Sequence, residues 1–521
     1  MLGEPRTVNV RLVAAAAGAA AVAFVAALAA LLPGVAFWDT AELQTVGPLL
    51  GTAHPTGYPT WVILGWLVSV VLQPFGEPAF RMNVFNAACL AVSAGLAVVL
   101  VRWLTGRTWL ALATGIVLAL TPIAWSIGTH ADVHGLHLTL SVLLLVLLVD
   151  WDAQERAADG PRSGADRRIV AAAAVFGLAL GNHNLVLLAV PGIALFVFAV
   201  APRILRRRRL VVTCLAALLV SLVVVELELP LRAGLLPAPL VYGHPQTWDG
   251  FWSIVLAQQF QGSLIAPFSD LATKAATLVQ LAWDQLGPLA GLVPFGFIAT
   301  ALSRPRYALL TGPTFAITCW FAASYDNADI GRYYLVPGLI ALTWVAILVG
   351  VLVDALERTF LPGRLDRHGD RKGLPIVGFL AAAIVLAPTL AALPSRYALV
   401  DERGDHAAED WLDRILDERL TGPNAVIVSW WSYSTPLWYA QHIEGRRPDI
   451  RVIDDRTRID EHLGEIADVI DANLGRRPVI VIQVDPKVLA GLAERYQLSL
   501  LPIAGPQPVY RVDAFLADGP R

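Results

Sequence analysis

The sequence predicts a polytopic all-α membrane domain followed by a small soluble α/β domain at its C-terminal end. Three observations predict it. Apolar runs of spanning length recur as far as residue 393. The basic residues between those runs fall almost entirely on one side of them. From about 395 the composition turns charged, with short strand-like runs alternating with helix-like ones. The 521 residues are 56% hydrophobic with mean hydropathy +0.59, above the roughly 45–50% apolar content of soluble domains.

A spanning helix needs about 20 mainly apolar residues. Candidates lie near 12–34, 83–103, 108–127, 135–150, 169–181, 184–201, 210–229, 285–302, 307–323, 333–353 and 374–393, about eleven in all. The first follows Arg6 and Arg11 and exceeds the apolar core of a signal peptide, so it reads as an uncleaved span. Residues 60–72 are apolar but short. With 60–72 at the surface, one side receives Arg6, Arg11, Arg102, Arg107, Arg156, Arg162, Arg167, Arg168, Arg203 and Arg206 to Arg209. The same side takes Arg304, Arg306, Arg358, Arg364, Arg367, Arg371 and Lys372. The other side receives only Arg81, Arg232, Lys274 and Arg332 before the C-terminal domain. Counting 60–72 as a span scrambles this separation, so the positive-inside rule makes it an interfacial or re-entrant helix. The N-terminus is then cytoplasmic and the C-terminal domain extracytoplasmic, in a multi-pass protein expected in a bacterial plasma membrane. The division falls at 1–394 and 395–521.

In the second part, strand-like runs at 425–430, 450–454 and 478–484 alternate with helix-like stretches at 405–420, 459–474 and 486–496. That alternation predicts a parallel α/β domain. It carries no glycine-rich phosphate loop, which argues against a nucleotide site. The net charge of −3 gives no reason to expect nucleic acid. Cys89, Cys214 and Cys319 lie in separate apolar runs, so neither a disulfide framework nor a thiolate metal site is indicated.

With orientation fixed, chemistry-bearing residues gather on the outer side. Asp39 and Glu42 are three apart and share a helix face, though capping of that helix explains them as well. His54-Pro-Thr-Gly-Tyr58-Pro suits a rigid turn or a ligand contact. His130, Asp132, His134 and His137 crowd the next outer loop. A divalent metal is compatible with that loop, but its spacing does not indicate one. A polar cluster lining a water-filled cavity is the better-supported reading. His183 sits at another outer turn, Glu226, Glu228 and Arg232 end the seventh span, and Asp329 and Arg332 belong to the last outer turn. Each arginine could pair with a neighbouring carboxylate or grip a phosphate bidentately. A carboxylate can deprotonate an acceptor hydroxyl, cations can stabilise a departing phosphate, and an apolar surface helix can admit a lipid tail.

The order of these elements resembles the GT-C superfamily of polyprenyl-phosphate-sugar-dependent glycosyltransferases. Within it, the sequence more closely resembles a widespread branch long labelled a domain of unknown function. That branch includes a eukaryotic transmembrane O-mannosyltransferase of plexin-type receptors. Its D-S-G-E-L and A-H-P-P-G-Y-P stand here as Asp39-Thr-Ala-Glu42-Leu43 and Ala53-His54-Pro55-Thr-Gly57-Tyr58-Pro59. Ala131-Asp132-Val133-His134 is similar to its A-E-V-Y, Gly177 to His183 to its G-L-x-x-G-x-H, Leu229 to Ala233 to its L-P-x-R-A, and Tyr325 to Pro337 to its Y-N-x-x-D-x-x-x-Y-Y-L-P. Asp132 replaces a glutamate and so has a shorter reach.

The resemblance implies an inverting transfer of a monosaccharide, mannose by the eukaryotic member, from a polyprenyl-phosphate donor to a hydroxyl of an extracytoplasmic protein or glycan. Asp39 is then the general base, with Glu42 and Asp132 orienting acceptor or sugar. His54, Arg232 and Arg332 hold the phosphate, and Tyr58, His134, His183 and Asp329 complete the substrate site. No cofactor beyond the lipid-linked donor is implied, and membrane lipid is the surrounding partner. The rivals are a flippase for a lipid-linked intermediate and a non-catalytic receptor or scaffold. What separates them is whether Asp39 and Glu42 meet Asp132 and the arginines in one cavity.

Overall fold

The computed structural model describes residues 9–157, 163–265, 267–327, 329–360, 375–483 and 485–516. Arg6, Arg162, Arg364, Arg367, Arg371 and Lys372 lie outside the described residues. Helices occupy all eleven predicted apolar segments. Among the described residues, six are long and apolar enough to cross a membrane: Val10–Leu28, Pro78–Thr105, Val133–Ala157, Arg208–Leu235, Leu271–Ser303 and Ile330–Phe360. A seventh is added if Val377–Ala391 and Leu393–Val400, bent by 49°, form one span. The other apolar segments are shorter or less apolar. Thr108–Ala119, for example, stops before Pro122, which opens a separate short helix. Residues 60–72 fall in a 13-residue helix, Pro59–Val71. At about 1.5 Å per residue it is roughly 20 Å long, short of the ~30 Å of hydrocarbon.

Small residues let these helices approach closely. Ala15, Ala19, Ala23 and Ala27 make the buried stripe of the first helix. Gly95 comes so near this helix that an added Cβ would meet the Ala16 carbonyl at 3.2 Å. This small-residue packing is how membrane helices associate where lipid is as apolar as leucine. Gly177 is tighter still, since a Cβ there would stand 2.4 Å from the Leu218 carbonyl oxygen of the neighbouring helix.

The basic side of the bundle is internally paired. Arg107 bridges Asp354 and Glu357, Arg156 and Arg306 share Asp152, and Arg207 meets Glu155 and Asp166.

Residues 426–515 form a five-stranded sheet in the order β2-β1-β3-β5-β4. Its strands are β1 (Val426–Val428), β2 (Arg451–Ile453), β3 (Val479–Ile482), β4 (Tyr496–Leu500) and β5 (Val509–Phe515). The three strands expected from sequence are parallel. The fully parallel sheet is corrected, because β5 runs antiparallel to both β3 and β4. A register shift at Gln497/Leu498 breaks the period-2 pattern there. Val509 and Val512 of β5 are buried on opposite faces of the sheet, Val509 in the core with Trp411 and Val512 in the core with Val469.

The central strands are covered on both faces. Val426, Val428, Val479 and Val481 pack under the helix Ile466–Asn473. Ile427, Ile480 and Ile482 face the other way, into a core with Trp411 and Tyr433 that also contains Val35, Ala41 and Ala79. The segment that follows the first long helix is therefore part of the core of the sheet domain. Phe37 lies edge-on to Trp411 at 5.5 Å, and the Ala79 N–H donates to the Tyr439 hydroxyl at 3.2 Å.

Gly177→Ala forces a methyl into the neighbouring backbone and is expected to destabilise the bundle by about 1–3 kcal/mol. A thermal melt of the purified full chain checks this, and an unchanged midpoint would show that the two helices can separate.

Candidate active site

The helix Trp38–Leu49 carries Asp39 in its first turn and Glu42 one turn on, where Glu42 is buried. Its seat is made by three buried amides. Gln44 accepts from the Ala36 N–H and donates to the Gly34 carbonyl and to Asn83 Oδ1. Asn83 donates to the Leu32 carbonyl, and its Oδ1 also accepts from the Ala131 N–H at 2.9 Å. Asn86 donates to the carbonyls of Ile127 and Asp132. Side chains of the helix Pro78–Thr105 thus hold both acidic loops at fixed height. Sequence reading passed over Gln44, Asn83 and Asn86. The available signal was two amides three apart inside an apolar span, where polar side chains mark function.

Arg332 joins the two loops. Its Nη2 lies 2.9 Å from Asp39 Oδ2 and its Nη1 2.9 Å from Asp132 Oδ2, and Nε is 3.7 Å from the exposed Asp329. Asp132 uses its other oxygen on His134, accepting from the backbone N–H at 2.6 Å and meeting Nδ1 at 2.7 Å. Burial opposes the charge of Asp132, but His134 and Arg332 outweigh it and hold the carboxyl well below its ordinary range. His134 Nε2 is buried without a hydrogen-bond partner.

Glu42 reaches the cluster through His54, accepting from its backbone N–H at 2.9 Å and meeting Nδ1 at 2.5 Å. His54 Nε2 meets the Tyr58 hydroxyl at 2.8 Å, and the Tyr58 ring stacks on His183 at 5.7 Å. Burial raises the Glu42 carboxyl against the pull of His54. Burial also opposes protonation of His54, but Glu42 outweighs it and the ring is raised.

Two cavities meet at this cluster. One, of about 750 Å³, lies between the bundle and the sheet domain and is lined by Trp38, His130, Asp132, Trp430, Trp431, Ser432, Asp455 and Arg456, among others. The second, of about 400 Å³, is lined by Tyr58, His134, His183 and Tyr333 together with Leu187, Leu256, Leu264 and Phe321. Leu187, Leu256 and Leu264 are exposed at its apolar rim. Asp39, His54, Phe260, Asn327 and Arg332 line both. The wall supplied by residues 430–456 was not anticipated from sequence.

Arg232 lies elsewhere. It donates to the Leu49 and Leu50 carbonyls at 3.0 and 2.8 Å, at the end of the first-loop helix, and lines neither cavity. Glu226 and Glu228 are buried near it, with Glu226 Oε2 and both Glu228 oxygens lacking a hydrogen-bond partner. Among the described residues no group of three or more His, Cys, Asp or Glu is arranged to hold a metal ion.

Residues 39–204, which contain both acidic loops and His183, match the family described as the Protein O-mannosyl-transferase TMEM260 N-terminal domain. The mouse Protein O-mannosyl-transferase TMEM260 is 25% identical over 466 residues, which are 85% of this chain and 62% of the mouse protein. Among solved structures, ArnT from Cupriavidus metallidurans bound to undecaprenyl phosphate superposes with a TM-score of 0.61 at 16% identity, covering 98% of this chain and 99% of that one. The chain is similar in sequence to TMEM260 and shares the fold of ArnT. The Archaeoglobus fulgidus oligosaccharyltransferase, solved with a tethered acceptor peptide, gives 0.54 at 13% identity over 97% of this chain and 74% of that one. The relationship to TMEM260 spans less than two thirds of the mouse protein's length.

Asn83→Ala leaves Gln44, the Leu32 carbonyl and the Ala131 N–H without their partner. It should cost about 1–3 kcal/mol for each buried group that stays unsatisfied, read as a lowered thermal midpoint. A second expectation concerns His130, whose Nδ1 lies 3.1 Å from both oxygens of Glu402. Burial opposes its protonation, but Glu402 outweighs it and lifts the ring from 6.5 to about 9. The folded value exceeds the unfolded one, so the pair stabilises fully below pH 6.5 and loses its effect as pH rises through about 9. Melting midpoints between pH 7 and 10 should fall more steeply for the wild type than for Glu402→Gln, and parallel slopes would remove the pair from the linkage.

Proposed function

We propose that this chain is an inverting glycosyltransferase that moves a monosaccharide from a polyprenyl-phosphate donor to an extracytoplasmic acceptor hydroxyl, with Asp39 as general base. The observation that carries the proposal is that Asp39 and Arg332 line two adjoining cavities at once. The apolar-rimmed cavity suits a lipid phosphate, and the cavity under the sheet domain suits the acceptor. The mouse relative's name and the undecaprenyl phosphate bound to ArnT support a mannosyl donor of this class.

In this reading the donor phosphate meets Arg332 and the unpartnered His134 Nε2, with His183 beside them. Asp132 holds the His134 ring in place through Nδ1. Arg232 is left out of the phosphate site because its donors serve the Leu49 and Leu50 carbonyls. A phosphate that takes Nη2 of Arg332 frees Asp39 Oδ2 to meet the acceptor. The acceptor oxygen then attacks the anomeric carbon. The bond from that carbon to the phosphate oxygen breaks, the hydroxyl proton passes to Asp39, and polyprenyl phosphate leaves with its electron pair. Attack opposite the leaving group inverts the anomeric centre. Glu42, through His54, fixes the turn that faces both cavities.

The segregation of arginines supports a cytoplasmic N-terminus and an extracytoplasmic sheet domain, with eleven spans and the division 1–394 and 395–521. The acceptor is a hydroxyl of an extracytoplasmic protein or glycan.

Asp39→Asn keeps the size of the side chain and removes the base. Transfer of radiolabelled mannose from polyprenyl-phosphate mannose, in membranes containing the protein, should fall by about 10²–10⁴, the usual contribution of a general base. Wild-type transfer in the variant would remove Asp39 from that role.

A further inference from the structure

We infer that the larger cavity is a saccharide acceptor site, in which the apolar face of the acceptor ring lies on Trp38. The inference rests on the glycosyltransferase reading above and specifies its acceptor.

Trp38 is held at φ 61°. A bulky side chain in the left-handed region is strained, and such strain persists where the surroundings impose it. Trp38 is 46% exposed, and its indole stands edge-on to Trp430 at 5.6 Å and 82°. Trp38 immediately precedes Asp39, so a ring resting on this indole has its rim beside the base.

The sheet-domain wall, which meets Trp38 at Trp430, supplies unsatisfied polar groups. Ser432 is fully buried, and its Oγ has no hydrogen-bond partner although the residue lines the cavity. Trp431 Nε1 is likewise buried and unpartnered. Leaving such groups without partners costs about 1–3 kcal/mol each, a cost that hydroxyls of a bound ligand remove. Asp455 and Arg456 stand on the same wall, Asp455 accepting from the Trp431 N–H at 2.9 Å and Arg456 lying over the Tyr242 ring at 5.0 Å.

Aromatic faces bordered by planar polar side chains match a pyranose, which has an apolar C–H face and a rim of hydroxyls. The volume of about 750 Å³ is that of a small-ligand cleft, for which roughly 300–1,000 Å³ is usual. No lining residue belongs to β1–β5. The cavity therefore offers no sheet edge to the main chain of an extended peptide, which is one principal way such peptides are held.

The test is saturation-transfer NMR on the full chain in lipid nanodiscs, with methyl mannoside, glucoside and galactoside and a Ser/Thr-rich peptide as probes. At least one glycoside should show transfer to its ring C–H protons. Trp38→Ala should weaken that binding by about tenfold or more, or ~1.4 kcal/mol, whereas Trp38→Phe, which keeps an aromatic face, should retain most of it. Ser432→Ala, with its fold checked by melting, should also weaken it. No transfer to any glycoside, an unchanged affinity in Trp38→Ala, or binding of the peptide alone would overturn the inference. Release of free mannose from polyprenyl-phosphate mannose, measured without acceptor in the wild-type preparation, reads the donor half separately. Release without glycoside binding sinks the acceptor assignment alone. Glycoside binding without release sinks the transferase reading and leaves the saccharide site standing.

Discussion

The structure turns on one guanidinium. Arg332 enters from the start of the Ile330–Phe360 helix and places its fork between Asp39 of the first loop and Asp132 of the second. Two carboxylates at the border of a bilayer repel each other, and one between them unpaired would be costly. With the guanidinium in place, three segments widely separated in sequence acquire fixed relative positions. The first-loop helix, the helix Val133–Ala157 and the last long helix of the bundle converge on a single charge. Both cavities open from that point.

A single ionic contact does not hold backbone to backbone, and the buried amides of Gln44, Asn83 and Asn86 do that. Each spends its hydrogen bonds on loop carbonyls, N–H groups or a neighbouring amide. Buried loop main chain has no water to satisfy it, so side chains of a long helix take its place. The acidic loops are therefore rigid before any ligand arrives, as a pre-organised electrostatic site requires.

Much of this was legible in the sequence because its cause is local. Length and hydropathy mark helices wherever they occur, and all eleven segments are helical. Three strands showed as β-rich runs. The β4–β5 hairpin did not, because Val509 and Val512 are buried on opposite faces and most of both strands is exposed or half-buried. The resemblance to GT-C transferases rested on motifs around Asp39 and His54, and the family match covers them. The two readings of Arg332 and Arg232 could not be separated by sequence. Both follow acidic neighbours, and only folding shows that one guanidinium spans two carboxylates while the other closes a helix end. The contribution of residues 430–456 to the cavity was hidden for the same reason, since nothing local connects Trp430 to Trp38, almost four hundred positions away in the chain.

The shared core of the first loop and the sheet domain bears on how the protein is made. Val35, Phe37 and Ala41 are synthesised well before their packing partners Trp411, Tyr433 and Ile480. Until those residues emerge, the loop carrying Asp39 lacks the surface that seats it. Assembly of the site thus waits for the sheet domain, and a translation product interrupted before it would be a bundle whose acidic loop lacks its seat.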